Sequence, residues 1–362
     1  MAEHHDGKIV AIQLLRFCAA FAVALSHQAM GFADHIGGGL GVDFDRRGIG
    51  QIAVALFFLI SGYIMVVSSR HLFGEVDARR VFWTRRAVRI LPPYWLATLL
   101  LVGILLVLVE ESVDPAELVQ SLLLWPYWPA DESLRAVPVL WVGWTLFYEM
   151  LFYALFGLFV AMPRRRALLG TAAVLLLLVA VGTFVPAENA FLYTATRPVL
   201  LLFVAGLALG WWRGAGGELP KFARVLAVAA TLAALYLIGE PADPTAMGFD
   251  YLAWCGLPAL LLALAALGGP LSLPAPRLVE RGGDISYALY LLHLPAAHFW
   301  MWTSAQLRLP GGSWGYLLAV MAGTLIASWL FFQVVERPAT RWLNRRLGAA
   351  RRGDRLLQQT GV

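Results

Sequence analysis

The sequence predicts an all-α fold: a polytopic membrane helix bundle of about ten transmembrane helices, with both termini in the cytoplasm. Three observations predict it. The 362-residue chain is 60% hydrophobic and only 14% charged, whereas water-soluble domains carry about 25% charged residues. Its apolar residues gather into ten runs, near 9–30, 50–69, 93–109, 139–161, 167–185, 196–212, 222–239, 251–268, 285–306 and 314–335, each close to the length that crosses a bilayer. With the N-terminus inside, all but six of the 28 Lys and Arg residues fall on the cytoplasmic side. Arg46, Arg47, Arg135, Arg197 and Arg308 fall outside and Arg16 lies in the membrane, as the positive-inside rule requires.

The net charge of +5 therefore reports membrane sidedness. The lipid bilayer is an expected partner and nucleic acid is not. Cys18 and Cys255 both lie in apolar runs, which indicates neither a disulfide framework nor a zinc site, and no other metal signature is present. The first run is too long for a cleavable signal and lacks a basic start. The chain divides into a membrane domain, 1–336, and a basic cytoplasmic tail, 337–362, suited to anionic lipid.

In the first run, Arg16 and His27 are the two strongly polar side chains. Eleven residues of helix give about 16 Å of rise and about 20° of rotation, so both project from one face. Ionisable groups inside a membrane are costly and mark pathways or reactive sites by default. The second run ends in FFLISGY (57–63), where Ser61 and Gly62 are small enough for close helix approach. The block FWTRRAVRILPPYW (82–95) follows. Arg86 and Arg89 can share a helix face beside Arg85, and guanidinium groups clamp phosphates. Plain positive-inside anchoring accounts for a basic loop equally well.

The outer connection, about 110–138, gathers Glu110, Glu111, Asp114, Glu117, Asp131 and Glu132 around the aromatic run LLLWPYWP. That run reads as an interfacial belt before it reads as a sugar platform. The fourth run places Glu149 near the midplane, where a carboxylate must be paired, protonated or catalytic. Arg16 and His27 are its candidate partners. Trp144 and Tyr148, at i and i+4, are candidates to line the same cavity, with Tyr153 nearby. Runs five to eight read as scaffold, with Arg197 as an interfacial anchor. The ninth, GDISYALYLLHLPAAHFW (283–300), has Asp284 as a candidate cap. It carries Ser286, Tyr287, Tyr290 and His293 in a polar stripe, and Pro295 as a kink. His293 also reads as a packing histidine. The last run closes on Glu336 and Arg337.

Taken together, five motifs resemble the acyltransferase-3 family of integral membrane acyltransferases. They are Arg16-x10-His27, FFLISGY, the 82–95 block, GWTLFYEMLFY (143–153) and DISYALYLLH (284–293) followed by VERPATRW (335–342). The wording is closest to the exopolysaccharide O-acetyltransferase subgroup. The resemblance implies a multi-pass protein of the bacterial inner (plasma) membrane that moves an acyl group, usually acetyl, from acyl-CoA to a carbohydrate acceptor. Acetyl-CoA is the expected donor and no metal is expected.

By that resemblance His27 is catalytic, as general base or as a covalent acyl carrier, with Glu149 in support. Arg16, Arg85, Arg86 and Arg89 face the coenzyme. Trp144, Tyr148, Tyr153, Tyr290 and His293 are candidate substrate contacts. The rival reading is a transporter or flippase in which Arg16, Glu149, His27 and His293 form a path. The lack of an inverted repeat counts against it. A homo-oligomer is compatible with the sequence.

Overall fold

The computed structural model describes residues 3–36, 48–128, 136–186, 188–271, 273, 275–307 and 313–348. The glycine-rich first outer connection, residues Asp131, Glu132, Arg135 and Arg308, and the tail beyond residue 348 lie outside them. Among the described residues there is no strand. The helices, in order, are α1 (Glu3–Ile36), α2 (Ile49–Ser68), α3 (Ala78–Ile104), α4 (Pro115–Leu122), α5 (Trp144–Phe159), α6 (Arg164–Gly182), α7 (Ala190–Ala195) and α8 (Leu200–Gly214). They continue with α9 (Lys221–Leu237), α10 (Phe249–Tyr251), α11 (Leu257–Leu267), α12 (Pro276–Leu307), α13 (Ser313–Phe331) and α14 (Arg337–Arg346).

Eight of the expected runs are helical spans long and apolar enough to cross a membrane. The other two are also helices. One is α9, with 17 residues, and the other is α12, with 32. The tyrosines and histidines of α12 dilute its apolar character, so a helix rich in chemistry is among the least membrane-like by composition.

The bundle is assembled around α2, which packs on α1, α8 and α11. Small residues let the α2 and α8 backbones meet. A Cβ on Gly62 would lie 2.3 Å from the Phe203 carbonyl oxygen, and one on Gly206 would lie 2.1 Å from that of Leu59. In lipid, helix association rests on such close packing, because apolar burial between helices gains little over contact with lipid tails. The small-residue reading of Ser61-Gly62 therefore holds for the glycine. Phe58, Phe152 and Phe203 form the aromatic centre beside this contact, with centroids 4.9 Å apart for Phe58–Phe203 and 4.5 Å for Phe152–Phe203. The second close seam joins α1 to α12, where Gly282 lies against Phe17 and Gly283 against Gln13.

Two boundaries differ from the sequence expectation. Helix α3 starts at Ala78 and runs through Pro92 and Pro93, so the basic block is part of the helix and not a stretch leading into it. The prolines remove two backbone donors without ending the helix. Helix α12 starts at Pro276, which leaves Asp284 two turns inside, unable to cap. Arg197 does more than anchor at an interface. Its guanidinium donates to the carbonyls of Tyr193 (2.8 Å) and Gly182 (2.9 Å) and stacks on the Tyr193 ring, tying the end of α6 to α7.

Candidate active site

Helices α1, α2, α3, α5 and α12 enclose a cavity lined by Arg16, Arg86, Arg89, Ser61, Glu149, Tyr153, Tyr287, Tyr290 and Thr145, among others. Helical phase explains the selection. On α5, Thr145, Glu149 and Tyr153 recur every four residues and form one stripe. Trp144 and Tyr148 lie about 100° away from that stripe and enter the aromatic core instead. Tyr148 packs edge-on to Phe58 and Phe147, and its hydroxyl reaches the Met247 sulfur. Trp144 packs edge-on to Phe58. Neither lines the cavity.

On α3, Arg86 and Arg89 face inward and Arg85 does not. Arg85 donates instead to the His71 ring, 3.3 Å away, at the exposed surface.

One end of the cavity is cationic. Arg86 donates to Ser68 Oγ (3.2 Å) and lies over the Phe82 and Tyr153 rings, 5.6 and 5.3 Å from their centroids. Among the described residues, Arg16 and Arg89 line the cavity with no carboxylate hydrogen-bonded to either. Glu149 and Glu336 contribute opposing charge at longer range. Glu336 is buried in the wide helical turn Phe332–Glu336 that ends α13. Three inward-facing guanidiniums are thus opposed at longer range by Glu149, Glu336 and Asp284, and their N–H groups can pair with an anion. The early part of α1, the start of α3 and the end of α13 meet here, so α1 begins on the same side of the bundle on which α13 ends. The Arg-rich start of α3 and the Arg-rich α14 that follows α13 mark that side as cytoplasmic by the positive-inside rule.

The wall of the cavity is polar. Ser61 Oγ donates to Glu149 Oε1 at 3.1 Å, and the Tyr153 hydroxyl donates to the same oxygen. Glu149 therefore contacts neither His27 nor Arg16, the two partners that the sequence suggested. Tyr287 donates to the Ile90 carbonyl (2.9 Å), which binds α12 to α3.

The inner end is closed by Tyr290. Its hydroxyl lies 2.8 Å from Thr145 Oγ1 and donates to the Val142 carbonyl at 3.0 Å. Beyond it, 6.0 Å from ring to ring, stands His293. His27 and His293 face each other, with His27 Nδ1 2.8 Å from His293 Nε2. Trp141 packs on the other side of the His27 ring at 4.4 Å. Gln28 donates its side-chain amide to the His293 carbonyl at 2.8 Å. Arg16 and His27 do share a face of α1, but at different depths. The arginine lines the cavity, and the histidine lies one residue layer past its end.

Sequence reasoning missed Ser61, Thr145, Tyr287 and Glu336 as neighbours of the site, and Trp141 and Gln28 beside the histidines. The i, i+4, i+8 spacing of Thr145, Glu149 and Tyr153 was the available signal for Thr145 alone. The outer aromatic run behaves as packing: Trp125 stacks on Phe191 at 4.5 Å, and Trp128 packs on Tyr193. Among the described residues no group of three or more His, Cys, Asp or Glu side chains could hold a metal ion.

The fold and this pocket define a polytopic membrane protein with a buried, anion-attracting site open to chemistry. The chain belongs to the acyltransferase-3 family: the family model described as an acyltransferase domain matches residues 9–333, and the protein is accordingly a membrane acyltransferase. It is 37% identical over 302 residues to the exopolysaccharide production protein ExoZ of Rhizobium meliloti (strain 1021), covering 81% of this chain and 90% of that protein. It is 30% identical to the acyltransferase MdmB of Streptomyces mycarofaciens over 391 aligned positions, covering 94% of each. No solved structure matches it.

Proposed function

We propose that the protein transfers an acyl group, acetyl by its family resemblance, from acyl-CoA to a hydroxyl of an exported or surface glycan at the bacterial inner membrane. The observation that carries this reading is the cavity's polarity. Its cationic mouth, Arg16, Arg86 and Arg89, matches the phosphates of a coenzyme A thioester arriving from the cytoplasm. Its length leads past Glu149 toward His27. The similarity to a protein of exopolysaccharide production supports a glycan acceptor.

In the chemistry proposed, His27 takes the proton of the acceptor hydroxyl as the oxygen attacks the thioester carbonyl. The tetrahedral intermediate then expels the coenzyme thiolate, which recovers that proton from the imidazolium. In the covalent variant the same ring nitrogen attacks the carbonyl, releases the thiolate and passes the acyl group on. Either route takes the thioester past Tyr290, which lines the cavity and whose ring stands 6.0 Å from that of His293.

The test is to incubate detergent-purified protein and its His27→Ala variant with radiolabelled acetyl-CoA and a total glycan extract of the source cells. Label should pass to glycan with the wild type alone. Absence of thioester consumption, even with native membranes supplied, would overturn the reading.

A further inference from the structure

His293 comes from the opposite helix and touches neither the cavity nor its mouth, yet it makes the closest polar contact of the His27 ring. The proton positions on the two rings follow from their partners. His293 Nδ1 lies 3.2 Å from the Leu289 carbonyl oxygen one turn earlier on α12. A carbonyl only accepts, so the hydrogen of a neutral His293 sits on Nδ1 and its Nε2 carries a lone pair. The contact between His293 Nε2 and His27 Nδ1 then needs its hydrogen from His27. The neutral His27 ring has one hydrogen, now committed to Nδ1, and its Nε2 is left as a free base.

Both rings are held in place. The amide of Gln28 fixes the α12 backbone at the His293 carbonyl, and Trp141 packs against the His27 face. His293 itself is fully buried.

We infer that His293 is a positioning residue: through the chain Leu289 carbonyl–His293–His27 it sets the tautomer of His27, so that Nε2 is the atom that accepts the acceptor's proton or the acyl group. The inference rests on the proposed role of His27 and deepens it. When His27 gains a proton at Nε2, its Nδ1 hydrogen remains donated to the neutral His293 ring. The imidazolium is thus stabilised in a site with no carboxylate in contact with either ring among the described residues. The arrangement does the work of the carboxylate in a Ser-His-Asp triad with a neutral acceptor in its place.

The first measurement needs no substrate. The ring-nitrogen NMR spectrum of 15N-histidine-labelled protein, assigned with the His27→Ala and His293→Leu variants, should show His27 with a hydrogen on Nδ1 and an unprotonated Nε2. His293→Leu should lose that preference. His293→Gln, whose amide oxygen can occupy the Nε2 position as an acceptor, should keep it. In the acyl-transfer assay, His293→Leu should lower kcat by about 10²- to 10⁴-fold with the donor KM unchanged, and His293→Gln should recover at least tenfold of that loss. A wild-type His27 carrying its hydrogen on Nε2, or a His293→Leu protein with the same His27 tautomer as the wild type, would overturn the inference. Because the tautomer is read in resting protein, a failed acyl-transfer assay combined with the expected spectrum would count against the proposed function and leave the pairing intact.

Discussion

Tyr153 donates its hydroxyl to Glu149, one turn earlier on α5, and holds the same ring beneath the Arg86 guanidinium, 5.3 Å from its centroid. One side chain thereby couples the carboxylate of the cavity wall to the cationic mouth. Ser61 and Tyr153 bond the same oxygen, so each hydroxyl is partly redundant, whereas the carboxylate is not. Ser61→Ala and Tyr153→Phe should each lower kcat/KM about threefold to tenfold, the usual worth of one hydrogen bond. Glu149→Ala also leaves three guanidiniums with less opposing charge, and it should cost more than a hundredfold together with a lower melting temperature. Thioester consumption and thermal unfolding in detergent check both. A Glu149→Ala protein of wild-type rate and stability would remove the carboxylate from the mechanism.

The three arginines of the basic block should separate cleanly. Arg86→Ala and Arg89→Ala each remove one proposed charge-assisted phosphate contact and should raise the donor KM about tenfold to a hundredfold. Arg85 faces the surface and His71, and Arg85→Ala should leave KM within twofold of the wild type. Equal effects at all three positions would reduce the cluster to a topology signal.

His27→Ala should lower transfer to glycan at least a hundredfold while the protein still purifies as a folded species, since general acid–base groups contribute about 10²- to 10⁴-fold. Retention of more than a tenth of the activity would exclude the ring as base and as acyl carrier alike.

The α2–α8 seam makes a prediction about stability alone. A methyl on Gly206 would approach the Leu59 carbonyl to 2.1 Å, a distance only backbone movement can relieve. Gly206→Ala should cost about 1–3 kcal/mol, seen as a lower melting temperature in detergent. Gly103 on α3 has nothing within 4 Å of the corresponding position. Gly103→Ala should be neutral or slightly stabilising, so the pair controls for helix propensity.

The helical bundle was legible in the sequence because hydropathy and Arg placement report directly on the bilayer. The shared face of Arg16 and His27 was legible from their spacing on one helix, whereas their different relation to the cavity was not. The site was misread where the choice depended on helical phase against neighbours not yet placed. Tyr148 and Glu149 are adjacent in sequence and lie about 100° apart around α5. The chain contains no local signal to say which of them faces α3 and α12. Arg85 and Arg86 pose the same problem one helix earlier. Ser61 was missed as a partner of Glu149 because it lies 88 positions away, and only the packing of α2 against α5 brings the two together. Asp284 looks like a helix start because the apolar run begins beside it, whereas the helix extends two turns into polar residues beforehand.

The closed layer at Tyr290 has an electrical consequence. In the proposed role the protein passes acyl groups across a membrane that stores energy as a voltage and a proton gradient, and a continuous wet path through it would discharge both. Tyr290, clamped by Thr145 and the Val142 carbonyl, lines the cavity on the side of His293. Substitution with a smaller side chain should therefore do more than change turnover. Cells or proteoliposomes carrying Tyr290→Ala should leak protons at a rate set by how often that layer is open, with no acyl donor present.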